Sequence, residues 1–263
     1  MHARPATPLA PSPDSAFRAW RPFGRASDLD LNFRTRDRPL LVTRLLAACG
    51  EAEDDGENRA WSMTLSGRIG ALAAILALSG ERAVLAVQPR CPACGKAFEV
   101  ELALADIAEL GRDAEAIPVV EVPGDRPLRL RRPTGADQRR WRDAALAEGG
   151  AAEAAMLADL LEGGASAADS ALAARVGAVM EQEDLLAAFS IQFACPHCGA
   201  GGDLPLDLEG LLLNALEAIS QSLVDQVHRL ASRYGWRETD ILAMPAHRRQ
   251  AYLGLLDQEA GWP

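Results

Sequence analysis

Two cysteine pairs with the same spacing are the residues of this chain best suited to chemistry. They form Cys-Pro-Ala-Cys-Gly at 91–95 and Cys-Pro-His-Cys-Gly at 195–199. Each Cys-x-x-Cys turn supplies two thiolates, so two turns complete a tetrahedral shell of four sulfur ligands for Zn²⁺. A shell made only of protein ligands leaves no position for water or substrate. We therefore predict one structural zinc ion, bound by Cys91, Cys94, Cys195 and Cys198.

An internal repeat surrounds these cysteines, because Cys195 follows Cys91 by 104 residues and apolar residues recur at the same offset. The matched pairs are Val100 with Leu204, Leu102 with Leu206, Leu104 with Leu208 and Ile107 with Leu211. Alternating apolar residues, typical of half-buried strands, precede each turn. Each half is therefore predicted to form a strand, a cysteine turn, a second strand and a helix. Two such hairpins facing each other make a zinc ribbon, and the glycine after each pair suits a turn with positive φ.

The tetrapeptide Cys-Pro-His-Cys also allows a redox interpretation. Strongly oxidising periplasmic thiol-disulfide exchangers place it at a helix N-terminus, which stabilises the first thiolate. Here residues 199–205, Gly-Ala-Gly-Gly-Asp-Leu-Pro, cannot continue a helix. Exchange chemistry would also leave the second pair without a role. A thiol-disulfide exchanger is therefore the least favoured alternative.

The composition limits the remaining classes of function. At 263 residues, with 49% hydrophobic and 24% charged residues, the chain is typical of a globular protein of one or two domains. The net charge of −10 disfavours nucleic-acid binding, which requires a basic surface. No apolar run is long enough to cross a bilayer, and the N-terminus lacks the apolar core of a secretion signal. We expect a cytoplasmic protein with no membrane partner, since the cysteine usage fits a reducing compartment.

The predicted fold class is α+β: mainly helical, with a small antiparallel zinc-ribbon-like β element formed by the two Cys-Pro-x-Cys-Gly hairpins and a C-terminal helical hairpin. Five segments are predicted. They are a disordered tail at 1–15, an N-terminal helical extension at 16–60, the first half of the zinc-ribbon core at 61–111, an Arg-rich then Ala-rich helical insertion at 112–180, and the second half of the core with the helical hairpin at 181–263.

Start and stop signals predict the helices of the first half. Pro39 lies near the start of a helix that Gly50 ends, and an acidic loop follows at 51–57. A second helix, with a clearer apolar face than the first, ends at Gly80 and leads into the first ribbon strand. Its apolar face carries Leu65, Ile69, Leu72 and Leu76.

The insertion is predicted to be extended over 119–132 and helical after a capping box, with two or three short helices over 143–180. A long helix follows at about 208–232. Pro245 is predicted as the N1 residue of a last helical segment, whose Leu253 and Leu256 pack back on the long helix.

A few other side chains are candidates for function. Seven arginines cluster around the start of the insertion, either as a solvated surface or as a docking patch for an acidic partner; they are Arg126, Arg129, Arg131, Arg132, Arg139, Arg140 and Arg142. Cys49 is predicted to be a buried, inert thiol. His228 and His247 are predicted at the surface, as are the carboxylates Glu181 and Asp184. No catalytic motif appears, so we expect a protein that is not an enzyme.

Three stretches of sequence resemble a known family. The first runs from Leu-Ser-Gly-Arg at 65–68 to the first cysteine turn, and the second is the other turn with its long helix. The third is an ending with Val-His-Arg-Leu-Ala at 227–231, Tyr-Gly-Trp-Arg-Glu-Thr-Asp-Ile-Leu-Ala-Met at 234–244 and Arg-Arg-Gln-Ala-Tyr-Leu at 248–253. The chain thus resembles the T-even phage baseplate-type proteins of contractile tail and contractile injection-system clusters, over about residues 62–110 and 185–256.

This resemblance implies a function without chemistry. Members of that family are hub assembly chaperones or baseplate components. The chain would accordingly be a non-enzymatic assembly chaperone or minor baseplate component that binds hub, tape-measure or wedge proteins and could be incorporated in the assembled particle. The main alternative is a zinc-ribbon regulatory module that binds nucleic acid, which the acidic charge balance opposes.

Overall fold

The structure is a computed structural model that describes residues 19–51, 55–80, 83–117, 119–124, 128–148, 153–161 and 170–260. The predicted disordered tail at 1–15 lies outside these residues. Within them the fold is mainly helical with three small two-stranded antiparallel sheets, which confirms the predicted class. The helices are α1 Arg38–Cys49, α2 Gly56–Ser62, α3 Leu65–Ser79, α4 Leu104–Ala116, α5 Gly135–Glu148, α6 Glu153–Leu160, α7 Ser170–Glu183, α8 Leu208–Tyr234, α9 Glu238–Ala243 and α10 Ala246–Ala260. The strands are β1 Val84–Val87, β2 Val100–Ala103, β3 Val119–Val122, β4 Leu128–Arg131, β5 Ser190–Ala194 and β6 Gly201–Pro205.

The first helices begin and end largely where their capping residues predict. The Asp37 carboxylate accepts a hydrogen bond from the Leu40 backbone N–H at 3.2 Å, and Gly50 follows the last residue of α1. Thr64 caps α3 in the same way. The predicted acidic loop at 51–57 is shorter than expected, because Gly56 already begins α2.

Helix α3 is the centre of the molecule, since every residue from 66 to 76 is buried. It crosses α4 where Gly70 meets Gly111. A Cβ built on Gly111 would lie 2.5 Å from the Gly70 Cα and 2.6 Å from the Ser66 carbonyl oxygen. Only glycine allows two helix backbones to approach so closely. The main apolar core forms around this crossing from α1, α3, α4, β1 and α8.

The two cysteine hairpins have the same strand register. In the first, Val87 of β1 pairs with Val100 of β2. In the second, Ile191 pairs with Leu204, which are the residues 104 positions later. The following helices α4 and α8 also start 104 residues apart. The predicted repeat of strand, cysteine turn, strand and helix is therefore confirmed.

The insertion forms a small subsidiary unit. Strands β3 and β4 pair as a hairpin, and Thr134 and Asp137 form the predicted capping box at the start of α5. Helix α4 continues to Ala116, so it crosses the predicted segment boundary at 111/112. A second apolar core lies between the hairpin and helices α6 and α7; its buried residues are Val120, Val122, Leu130, Leu160, Leu161, Leu172 and Val176.

The C-terminal helices form the predicted hairpin. Gly235 ends α8 in the left-handed conformation, with φ of +67°. Leu253 of α10 is buried against Leu230 of α8 and Ile241 of α9. Pro245 lies one residue before α10 and its carbonyl accepts from the Arg249 backbone N–H, so it occupies the capping position and not N1 as predicted. No helix in the part of the chain described by the structure is long and apolar enough to span a membrane.

Candidate metal centre

The two cysteine turns are built in the same way. In the first, the Gly95 N–H donates to the Cys91 carbonyl at 2.8 Å, and in the second the Gly199 N–H donates to the Cys195 carbonyl at 2.9 Å. Both glycines have positive φ, +69° and +73°, as predicted. Each turn thereby places its two thiols on the same side, facing the other turn.

The four thiols meet at one point between the hairpins. The Sγ atoms of Cys91, Cys94, Cys195 and Cys198 all lie within 4.8 Å of one another. Two of the separations, Cys91 to Cys198 and Cys94 to Cys195, are 3.8 Å. Four sulfur atoms bound to Zn²⁺ at about 2.3 Å form a tetrahedron with edges of about 3.8 Å. The predicted ligands are therefore together, at a spacing that fits a metal ion.

The electrostatics of the cluster favour a cation. Burial opposes ionisation of Cys195, but hydrogen bonds from the backbone N–H groups of His197 and Cys198 outweigh it, and the pKa of Cys195 falls to about 6. For Cys198, the backbone bond from Ala200 lowers the pKa, whereas the bonds with neighbouring thiols raise it to about 12. Without a cation, the hydrogen bonds of the cluster therefore favour the thiolate form of Cys195 and the thiol form of Cys198. A dication would stabilise the other thiolates and release their protons.

Protein contacts also join the two hairpins. The Phe98 and Phe193 rings stack with centroids 5.4 Å apart, and His197 Nε2 lies 3.1 Å from the Ala97 carbonyl oxygen. Cys91 and Cys195 are buried beside these rings, while Cys94 and Cys198 are exposed. Sequence patterns did not indicate these contacts, because they join residues on different hairpins. A bound metal ion would be the strongest connection between the two hairpins.

The redox interpretation finds no support in the local structure. Strands β2 and β6 follow the two turns, so no helix starts at Cys91 or Cys195. The helix N-terminus that activates the thiolate in thiol-disulfide exchangers is thus absent from both described turns.

Other predicted positions have mixed outcomes. Cys49 is buried as predicted, and burial raises the pKa of its thiol to about 11, which favours the protonated, less reactive form. His228 and His247 are exposed as predicted. Glu181 is also exposed, but the prediction for Asp184 is wrong.

Asp184 is fully buried and joins the insertion to the core. Its carboxylate accepts a hydrogen bond from Ser66 Oγ on α3 and lies 3.4 Å from a guanidinium nitrogen of Arg132, which is also buried. Local periodicity predicts a surface position for Asp184. It does not reveal the burial, because both partners are distant in sequence. A buried pair of this kind fixes the relative position of the segments that carry it.

The arginine cluster is paired within the chain. Arg131 and Arg140 contact Asp137, and Arg139 and Arg142 contact Asp37. Arg129 also has an interaction partner, and Arg126 lies outside the described residues. The described members are thus ion-paired, and the Arg139 and Arg140 side chains stay 40% and 52% exposed, which fits a solvated surface better than a docking patch for an acidic partner.

No known family profile, curated protein or solved structure matches this chain. The resemblance to baseplate-type proteins therefore stays a prediction from sequence. The cysteine cluster, which could hold a metal ion, is the functional feature with direct structural support.

Proposed function

We propose that the cysteine cluster binds one Zn²⁺ ion and that this ion has a structural role. The separation of the thiols carries the proposal, because 3.8 Å is the edge of a tetrahedral zinc–sulfur site. Four protein ligands would fill the shell and leave no position for a substrate. The ion would hold together two hairpins whose sequences lie 104 residues apart.

The proposed function of the whole protein is that of a non-enzymatic assembly chaperone or minor baseplate component of a phage-tail-like contractile injection system. Its partners would be hub, tape-measure or wedge proteins, and it would act in the cytoplasm where particles assemble. The resemblance of residues 62–110 and 185–256 supports this proposal. It is also consistent with a zinc site that stabilises the fold and takes no part in a reaction.

The C-terminal part of the resemblance corresponds to a defined structural unit. Tyr234 and Trp236 stack with ring centroids 4.5 Å apart around Gly235, and both rings pack against Tyr252 of α10. The Tyr-Gly-Trp sequence thus ends α8 and holds α10 against it. In the proposed function, this helical hairpin is a rigid part of the scaffold.

An affinity pull-down from the native host tests the proposal for the whole protein. Tagged full-length chain is recovered and analysed by mass spectrometry beside purified particles. Recovery of hub or tape-measure proteins, with the chain absent from finished particles, would identify a chaperone, and its presence in particles would identify a baseplate component. If no particle protein is recovered in either preparation, the proposed function is wrong.

A binding measurement separates this proposal from the nucleic-acid alternative. Zinc-loaded chain is titrated against labelled double-stranded DNA and single-stranded RNA at about 0.15 M salt, where surface charges are screened beyond about 8 Å. We expect no binding, since the chain carries a net charge of −10. Salt-dependent micromolar binding would instead favour a regulatory zinc-ribbon module.

A further inference from the structure

A groove outside the metal centre has a composition unlike the rest of the chain. It lies between residues 21–26, the end of α3, the middle of α8 and the start of the α9–α10 pair, and its volume is about 600 Å³. We name it the arginine groove. This volume lies within the range of about 300–1,000 Å³ that is usual for ligand-binding pockets.

One wall of the arginine groove is apolar. Ile219 and Leu223 of α8 form its floor together with Leu242 of α9, and Leu78 at the end of α3 is 38% exposed beside them. Concave surfaces lined by apolar side chains with a few polar groups are typical of binding sites.

The charged residues among the described residues that line the groove are all arginines. Arg21, Arg25 and Arg249 all face the groove. Arg21 is neutralised by Asp28 in a two-bond ion pair at 2.7 and 2.8 Å. Arg25 and Arg249, in contrast, have no carboxylate of the described residues within ion-pair distance.

Arg249 is held in place by uncharged groups. Its guanidinium donates to Gln226 Oε1 at 3.1 Å, to the Leu242 carbonyl oxygen at 3.3 Å and to the Met244 carbonyl oxygen. Partial burial lowers the pKa of Arg249, since no anion compensates the lost hydration. The side chain is thus a fixed positive charge at the edge of an apolar wall.

The charge of the groove is opposite to that of the chain. The full sequence has 37 acidic and 27 basic residues, yet none of the described residues that line the groove is Asp or Glu. The N-terminal residues 1–18, which precede the groove in sequence, contain two arginines and one aspartate and so do not complement it. An acidic ligand from another molecule does complement it.

We propose that the arginine groove is a docking site for an acidic amphipathic segment of a partner protein. Apolar side chains of the segment would contact Leu78, Ile219 and Leu242, and its Asp or Glu side chains would pair with Arg25 and Arg249. The inference rests on the proposed function only in taking the partner to be a protein. It names the chemistry of the partner segment, which the family resemblance does not.

Peptide selection tests this proposal even though the partner is unidentified. A random library of 16-residue displayed peptides is selected on the purified, metal-loaded full chain, and enriched peptides are measured by fluorescence anisotropy. We expect a consensus that combines apolar residues at helical spacing with Asp or Glu. Arg25→Glu and Leu78→Asp should each weaken binding by about tenfold or more. Both residues are exposed, so the variants should fold.

Matched controls place the binding in the groove. Arg34→Glu changes another exposed arginine, and Leu110→Asp changes a leucine that is 40% exposed on α4, so each should leave the affinity within about twofold. Replacing the acidic residue of the peptide by Lys should restore binding to the Arg25→Glu chain. The proposal is wrong if no peptide is enriched, if the consensus lacks acidic residues, or if Arg25→Glu and Leu78→Asp bind as well as the unmodified chain.

The outcomes for the groove and for the proposed function are distinct, because the selection uses only purified chain. Acidic peptides that bind at Arg25 and Leu78, without particle proteins in the host pull-down, would support the groove and contradict the assembly function. Recovery of particle proteins by a chain that binds no acidic peptide would support the assembly function and contradict the docking site in the groove.

Discussion

The two cysteine hairpins have the same turn and register but rest on different surroundings. In the first, Leu85 and Val87 are buried in the main core, at 8% and 5% exposure. In the second, no residue of β5 or β6 is buried. The first hairpin is therefore held by the core, whereas the second contacts the core only through the partly buried Phe189 and Leu206 at its base and otherwise adjoins the cysteine cluster and the stacked phenylalanines. A local repeat thus does not imply equal stability.

Loss of a metal ligand should have the largest effect on the difference between the two hairpins. Cys91→Ser and Cys195→Ser each remove one thiolate, and structural zinc sites contribute about 10–16 kcal/mol of apparent binding free energy. We expect the metal content to fall from one ion per chain towards zero. Amide hydrogen exchange should accelerate at least about 100-fold in β5–β6 but less than about tenfold in β1–β2. Equal acceleration in both hairpins would show that the core does not stabilise the first one.

The helix after each cysteine hairpin offers a second test. Gly111 of α4 approaches Gly70, whereas the residue 104 positions later in α8 is Ala215. Gly111→Ala should lower the free energy of unfolding by about 3 kcal/mol, because the new Cβ meets backbone atoms of α3. Urea denaturation with metal bound measures this change. As a control, Gly254→Ala in α10 has open space and should stabilise the protein by about 0.5–1 kcal/mol. A neutral Gly111→Ala variant would contradict the close helix crossing.

Truncating matched strand residues compares the hairpins directly. Val87 is buried, and its counterpart Ile191 is only partly buried. Val87→Ala should reduce the free energy of unfolding by about 2 kcal/mol, because it removes two buried methyl groups and leaves a cavity. Ile191→Ala should cost less than about 1 kcal/mol, although it removes a larger side chain. Chemical denaturation at saturating zinc would show the order of the two values, and the reverse order would contradict the asymmetry.

The third hairpin, β3–β4, differs from both cysteine hairpins, because ion pairs of Asp137 with Arg131 and Arg140 stabilise its end. Burial acts to raise the pKa of Asp137, but hydrogen bonds from Arg131, Thr134 and Arg140 hold it below the usual range. A lowered folded-state pKa contributes stability above the ordinary carboxyl value of 3.8, and this contribution is lost as the pH falls through the folded value.

The corresponding test uses Asp137→Asn. At pH 7 this variant should be about 1 kcal/mol less stable than the unmodified chain, and the difference should shrink as the pH falls below about 4. Metal release affects both proteins equally and cancels in the difference. Denaturation curves between pH 3 and 7 provide the measurement, and a difference that does not change with pH would contradict the proposed role of the carboxylate.

The metal centre and most elements were predictable because their signals are local. Spacing alone identified the four cysteines, and start and stop residues such as Pro39, Gly50 and Gly80 marked helix ends that the structure contains. The offset of 104 residues predicted even the matching of the hairpins. These features depend on neighbouring residues or on an exact repeat, so one sequence is enough to find them.

The largest error concerns a side chain whose partners are distant in sequence. Asp184 has the sequence context of a surface carboxylate, but Arg132 and Ser66 bury it. The charge run of the arginine cluster also did not show that Asp37 pairs with two of its members. The arginine groove also gave no signal, because it combines residues from four separated segments. Charge pattern along the chain does not show which charges meet in the fold.

X-ray absorption at the zinc edge, combined with elemental analysis of the purified full chain, tests the central claim most directly. We predict one zinc ion per chain, with four sulfur neighbours at about 2.3 Å and no nitrogen or oxygen ligand. Metal-free protein with disulfides among Cys91, Cys94, Cys195 and Cys198, or zinc bound by fewer than four sulfur atoms, would contradict a closed structural centre between the two hairpins.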